Sequence, residues 1–203
     1  EFGASARGAQ RMAFATIVAG GPRSSYLHYS ANSDVLSDGE LVLVDAGAEL
    51  DGYASDVTRA WPVSGTFSAA QRRIYEVVLA ANKRCIAAAR AGSSLDEVEA
   101  ASNLGLHAAL EALGARGGRS RYVWHAAAHS IGLDVHDPAA GPLEVGSVIT
   151  CEPGVYVRAT DKSMPAEYRG IGVRIEDVVA VGKGGPEVLS ASVPKEIDAV
   201  EAA

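Results

Sequence analysis

Leu41-Val42-Leu43-Val44-Asp45-Ala46-Gly47, then Asp51-Gly52, then Tyr53-Ala54-Ser55-Asp56-Val57-Thr58-Arg59 is the stretch on which the fold turns. Its first four residues are a short apolar run of the buried-strand type. Asp51-Gly52 is a hairpin signal, because a two-residue turn with both residues at positive φ favours this pair. Tyr53 to Val63 reads as the return strand, ending near Pro62. In an antiparallel hairpin with an even-length loop, directly opposed residues have numbers summing to an odd total, and residues two further along share their face. The numbers of Asp45 and Asp56 sum to an odd total, so both carboxylates project from one face. Like charges on adjacent strands repel, and a cation between them removes that cost. The pair alone also fits two strand-end aspartates capping turns.

Working outward, Met12 to Tyr29 is rich in β-branched and aromatic residues around Gly20-Gly21-Pro22 and reads as strand, turn, strand. On the other side, Ser68 is an N-cap candidate for a helix from about Ala69 to Ala91. Ile74, Val77, Val78, Ala81, Cys85 and Ile86 form its apolar side, and Gly92 stops it. Ser94-Leu95-Asp96-Glu97 fits a capping box opening a second helix through Leu106, Leu110 and Leu113 to Gly114. Gly114 to Arg121 is a loop. Strand patterns return at Val148–Cys151, Gly154–Arg158 and Val173–Val181. Strands, two helices, then strands predict an α+β fold, an antiparallel sheet with helices on one face, in one domain over residues 1–203.

The 203 residues suffice for a substantial core, and 48% of them are apolar, which argues against disorder. Twenty-five acidic against eighteen basic residues disfavour a nucleic-acid partner, which needs a basic face. No apolar run approaches the roughly 20 residues of a membrane span, so the expectation is a soluble chain. Cys85 and Cys151 lack metal-type spacing and read as buried free thiols. Glu1-Phe2-Gly3 resembles neither a signal nor a transit peptide, and a mature or truncated chain is expected.

Three further groups carry chemistry. His125-Ala126-Ala127-Ala128-His129 precedes Asp134-Val135-His136-Asp137, placing three of five histidines close together. A histidine pair at this spacing serves a metal if it is helical; satisfied surface histidines are the alternative. Glu152 ends the apolar run Val148-Ile149-Thr150-Cys151. Glu176 lies in Gly172-Val173-Arg174-Ile175-Glu176-Asp177-Val178, where a plain Arg174–Glu176 surface pair competes with a site role. Together, four carboxylates and one imidazole make an oxygen-rich set suited to two divalent ions.

These segments resemble the pita-bread metallopeptidases, specifically the Xaa-Pro aminopeptidase (aminopeptidase P) branch. The likeness is carried by Leu43–Gly47, Ser55–Arg59, Trp61–Gly65, Gly132–Asp137, Glu152–Tyr156 and Tyr168–Asp177. Arg7-Gly8-Ala9-Gln10, Ile17-Val18-Ala19 and Leu27-His28-Tyr29 look most like the mitochondrial-type members. The resemblance implies a pita-bread fold, a curved antiparallel sheet with helices on one face, here without the family's N-terminal domain and first helices. It implies two divalent ions, Mn²⁺ first, with Co²⁺, Fe²⁺ or Zn²⁺ as alternatives. Asp45 would bind one ion, His129 and Glu152 the other, and Asp56 and Glu176 would bridge.

A hydroxide between the ions would attack the bond before a proline at the second position of a peptide, with Glu152 moving the proton. His125 and His136 would contact the scissile region, His28 would line the proline pocket, and Arg174 would orient Glu176. A prolidase and, more distantly, a methionine aminopeptidase are siblings. A catalytically silent module serving as a structural or binding subunit is the alternative from another class. It draws on Ala126–Ala128, where the family has glycine, and on the missing helices. The incomplete fold implies an exposed apolar sheet face completed by another chain or copy. The compartment implied is the mitochondrion or another organelle, with the cytoplasm as alternative.

Overall fold

In the computed structural model, which describes residues 1–203, a one-turn helix α1 (Phe2–Ser5) and two short strands, β1 (Arg11–Met12) and β2 (Ile17–Gly20), precede the central hairpin. The return strand expected before Tyr29 does not form. Gly21–Ser25 is instead a 3₁₀ turn with Pro22 near its start. The Ser24 and Ser25 hydroxyls donate to the carbonyls of Gly21 and Pro22, at 2.6 and 2.7 Å. Such local side-chain bonds offer the backbone an alternative to a ladder.

The hairpin comprises β3 (Leu41–Ala46), β4 (Ala48–Leu50), β5 (Tyr53–Ala54) and β6 (Val57–Pro62). One register runs through it, from Leu41 opposite Pro62 to Leu50 opposite Tyr53. Asp51 and Gly52 form the two-residue turn, with φ of 51° and 84°, as a primed turn requires. β2 pairs with the free edge of β3, and β1 with β4, all antiparallel.

Helix α2 (Ala69–Ala88) opens on a complete capping box between Ser68 and Gln71. It ends three residues short of the expected Ala91. A second box, Ser94 with Glu97, opens α3 (Leu95–Asn103). The single helix expected to run on to Gly114 is broken: Gly105 adopts φ 73°, and α4 (Leu106–Ala112) starts after it. A left-handed residue cannot continue a right-handed helix, and glycine adopts that conformation with least strain.

Four strands then follow, β7 (Val148–Cys151), β8 (Gly154–Tyr156), β9 (Gly172–Arg174) and β10 (Asp177–Gly182). β11 (Gly185–Val188) and the short helix α5 (Ile197–Glu201) complete the chain. β8 pairs with β9 and β7 with β10, in one common register: Gly154 is opposite Arg174 and Cys151 opposite Asp177. The run expected as one strand over Val173–Val181 is thus interrupted at Ile175-Glu176, facing Glu152-Pro153. Proline has no N–H to give a ladder. The Ile175 carbonyl accepts from the Asn82 side-chain amide of α2 instead, at 3.2 Å.

The inner side of α2, with Ile74, Tyr75 and Val78, packs with Leu41, Val155, Val173 and Ile175 in the main core. A second cluster gathers Val98, Ile149, Val179 and the two cysteines, which are buried and unpaired. The β2–β3–β6 sheet turns Ile17, Leu43 and Asp45 inward. Val18, Val42 and Val44 on its other face are half-buried, less open than the sequence implies. No helix is long and apolar enough to cross a membrane.

Candidate metal centre

The register of the two halves brings the carboxylates together. Asp45 ends β3, and Asp56 precedes β6 on the same face, as the parity of the hairpin requires. Glu152 and Glu176 occupy the gap between the β8–β9 and β7–β10 ladders, where the common register sets them opposite each other. The Glu176 N–H donates to the Thr58 carbonyl at 3.0 Å, which joins this second pair to β6. Asp45, Asp56 and Glu176 are all buried, the last only 1% exposed. The surface Arg174–Glu176 pair admitted by the sequence is therefore excluded, since Arg174 is buried as well.

The histidine segment is not helical. Residues 125–131 run as an irregular strand edge, with the Thr150 N–H donating to the His129 carbonyl and the Glu152 N–H to that of Ala127, both at 2.8 Å. No residue from Ala126 to Ala128 has positive φ. Alanine thus meets no backbone strain there, and the run leaves this part of the site intact. His129 Nδ1 lies 3.0 Å from the Ser130 carbonyl, which only accepts, so that nitrogen carries a proton. Nε2 is left facing Glu152 Oε1 at 3.1 Å and Asp56 Oδ2 at 3.8 Å. His136 meets the His129 ring edge-on, with centroids 4.4 Å apart.

Arg174 organises the other wall. Its Nη2 donates to Asp45 Oδ2, its Nε to Thr58 Oγ1 at 2.9 Å and its Nη1 to the Tyr156 hydroxyl at 2.9 Å. Thr58 in turn donates to Glu176 Oε2 at 2.7 Å. The Tyr156 hydroxyl also lies 2.7 Å from His125 Nε2. A Cβ on Gly154 would stand 2.3 Å from that hydroxyl, so only glycine leaves room for it. Thr58 and Tyr156 are site residues to which the sequence reading gave no role. The signal existed: Thr58 lies two residues after Asp56 and Tyr156 four after Glu152, an even spacing that keeps one face in extended chain.

Burial and mutual repulsion among the carboxylates dominate the electrostatics of the site. Burial first, then Asp45, pushes the Asp56 carboxyl up to about 8. Burial, followed by Glu152 and Asp56, raises that of Glu176 well above the carboxylate range. Burial also opposes ionisation of Glu152, but the His129 hydrogen bond and the charges of His125, His129 and Arg174 outweigh it and hold its carboxyl low. His125 is pushed down, chiefly by burial.

Asp45 Oδ1, Asp56 Oδ1 and Glu176 Oε1 are buried without any hydrogen-bond partner. Ligand atoms of Asp56, His129 and Glu176 lie within 4.8 Å of one another. Orphaned carboxylate oxygens beside His129 Nε2, a nitrogen that binds a cation on losing its proton, form a donor set for hard or borderline divalent cations. The residues therefore fit the metals expected. They open into a cavity of about 920 Å³, whose lining also includes His28, His125, His136 and, at one edge, the Arg11–Glu49 ion pair.

Comparison with known proteins agrees with this architecture. Residues 1–183 match metallopeptidase family M24. The chain is 42% identical to human Xaa-Pro aminopeptidase 3, with 99% of this chain and 42% of that protein covered. It is equally 42% identical to the mitochondrial intermediate cleaving peptidase 55 of Arabidopsis thaliana, over the same shares of the two chains. Pseudomonas aeruginosa aminopeptidase PepP superposes with a TM-score of 0.95 at 38% identity, over 99% of this chain and 49% of that one. The chain thus spans less than half the length of these relatives, and its ladders and helices are those of the pita-bread fold. It belongs to metallopeptidase family M24.

Proposed function

We propose that this chain is the metal-binding half of an aminopeptidase that removes the residue preceding a proline at the N-terminus of a peptide. The observation that carries this reading is the grouping of Asp56, His129 and Glu176 ligand atoms within 4.8 Å of one another, with unpartnered oxygens on Asp45, Asp56 and Glu176, at a cavity large enough for a peptide end. Asp45, Asp56, His129, Glu152 and Glu176 would hold two divalent ions between them. Four carboxylates balance two such ions, and oxygen-dominated ligation favours Mn²⁺ over Co²⁺, Fe²⁺ or Zn²⁺. When bound, the ions supply the Lewis acidity that activates water near neutral pH and polarises a peptide carbonyl.

The chain's own residues do the rest. Arg174 fixes Asp45 directly and Glu176 through Thr58, so the free oxygens of both are aimed before any ion arrives. Glu152, held ionised, takes a proton from the attacking water and delivers it to the leaving nitrogen. His125 and His136 face the scissile region. A proline nitrogen offers no N–H in the bond to be cut, so selection rests on pocket shape around His28.

The test is hydrolysis of Xaa-Pro-Yaa against Xaa-Ala-Yaa peptides by the full-length protein after addition of Mn²⁺. Cleavage of the proline peptide alone supports the reading; a Glu152→Gln variant with undiminished turnover refutes the proton role. The relative from Arabidopsis supports a mitochondrial setting over a cytoplasmic one, which organelle fractionation decides. A further polypeptide or second copy would cover the Val18–Val42–Val44 face, and light scattering of the chain alone against the full-length protein tests that.

A further inference from the structure

Outside the acidic cluster, a stack of three rings and one guanidinium group runs outward from Tyr156, whose hydroxyl contacts His125 of the cavity wall. Trp124 stacks on Tyr156, with centroids 5.6 Å apart and planes 20° from parallel. Its indole N–H is anchored on the Arg121 carbonyl at 2.8 Å. The Arg158 guanidinium lies 4.6 Å from the Trp124 ring centre and 3.7 Å from that of Tyr26, which is 43% exposed. Two rings thus flank the cation, and its own donors are left over. The Arg158 side chain forms no hydrogen bond or ion pair within the chain, and its Nη1 is buried with no partner.

Nη1 is enclosed, so an acceptor from outside would meet the other guanidinium donors, Nε and Nη2, which have no partner in the chain. The position of the guanidinium says which acceptor. Leu27 and His28, which follow Tyr26 in sequence, line the cavity, as do His125 and Ala126, which follow Trp124. The stack therefore stands at the rim on the His28–His125 side, where, on the peptidase reading above, the peptide leaves the site beyond its proline. We propose that Arg158 is a substrate-binding residue that takes the carbonyl or terminal carboxylate oxygen of the residue following the proline.

The experiment uses the full-length Mn²⁺-loaded protein and compares kcat/KM for Xaa-Pro-Yaa with that for Xaa-Pro-amide, which lacks the downstream residue. In Arg158→Ala the ratio of the two should fall tenfold or more, through KM, the scale of a lost hydrogen bond to a charged group. Arg158→Lys, which keeps the charge, should restore part of it. An Xaa-Pro-Yaa-amide distinguishes the two acceptors: if the carboxylate is bound, the wild type already discriminates against the amide, and the variant does not. An unchanged ratio overturns the proposal, including when both substrates weaken together, since that marks a mere strut between the cavity walls. If the wild type cleaves neither substrate, the peptidase reading itself has failed before any variant is made.

Discussion

The Thr58 hydroxyl donates to Glu176 and accepts from Arg174, so one small buried group ties together two charges that would otherwise compete for partners. Replacing it by valine keeps the shape and removes both bonds. We expect Thr58→Val to cost about 1–3 kcal/mol of stability, the range for a buried donor or acceptor left unpaired, and to weaken Mn²⁺ binding. A denaturant midpoint and a calorimetric titration measure the two effects, and unchanged metal affinity would remove Thr58 from the site.

Titration gives a second prediction at this scale. The metal-free fold raises Asp56 to about 8, far above its unfolded value of roughly 3.9. A raised carboxyl contributes stability that is complete below the unfolded value and lost as pH climbs through the folded one. Glu176 and His129 shift the same way. The stability gap between Mn²⁺-loaded and metal-free protein should therefore widen from pH 5 to 8, with protons released on binding. A constant gap, with no dependence of the binding heat on buffer ionisation, contradicts it.

At the level of elements, Arg59 is the joint of the scaffold. From β6 it donates to the main-chain carbonyls of Thr58, Glu176, Val193 and Pro194 and pairs with Asp177, which also holds Lys195 and Ser190. One side chain thus fastens the hairpin, the Glu176 corner and the C-terminal segment. Arg59→Ala should destabilise by about 3 kcal/mol or more, as breaking a buried pair does. Arg59→Lys should recover little, because a single ammonium cannot span those carbonyls. A melting temperature for Arg59→Ala near the wild-type value would show that the joint is dispensable.

Local chemistry made some elements legible in the sequence. The Asp51-Gly52 turn and both capping boxes formed where turn and cap residues called for them, and parity alone put Asp45 and Asp56 on one face. Parity could not be extended to Glu152 and Glu176, because no short turn links them and their register is set by distant pairing. Apolar spacing continues past Gly105 and hides the break there, and Ser24 and Ser25 divert a segment whose composition suits a strand.

Over the whole molecule, the two ladders and α2 form a frame that presses four carboxylates into a buried space and leaves three oxygens without partners. The mutual repulsion of that cluster has no counter-charge other than Arg174 and the histidines, so the fold as a whole should be more stable with its ions than without. The decisive measurement is the metal stoichiometry of the full-length protein, by equilibrium dialysis and elemental analysis, in the wild type and in Asp56→Ala. Two Mn²⁺ per chain are expected in the wild type, and loss of both ions and of Xaa-Pro hydrolysis in the variant. A wild type that binds none, or an Asp56→Ala protein that keeps both ions, would contradict that expectation.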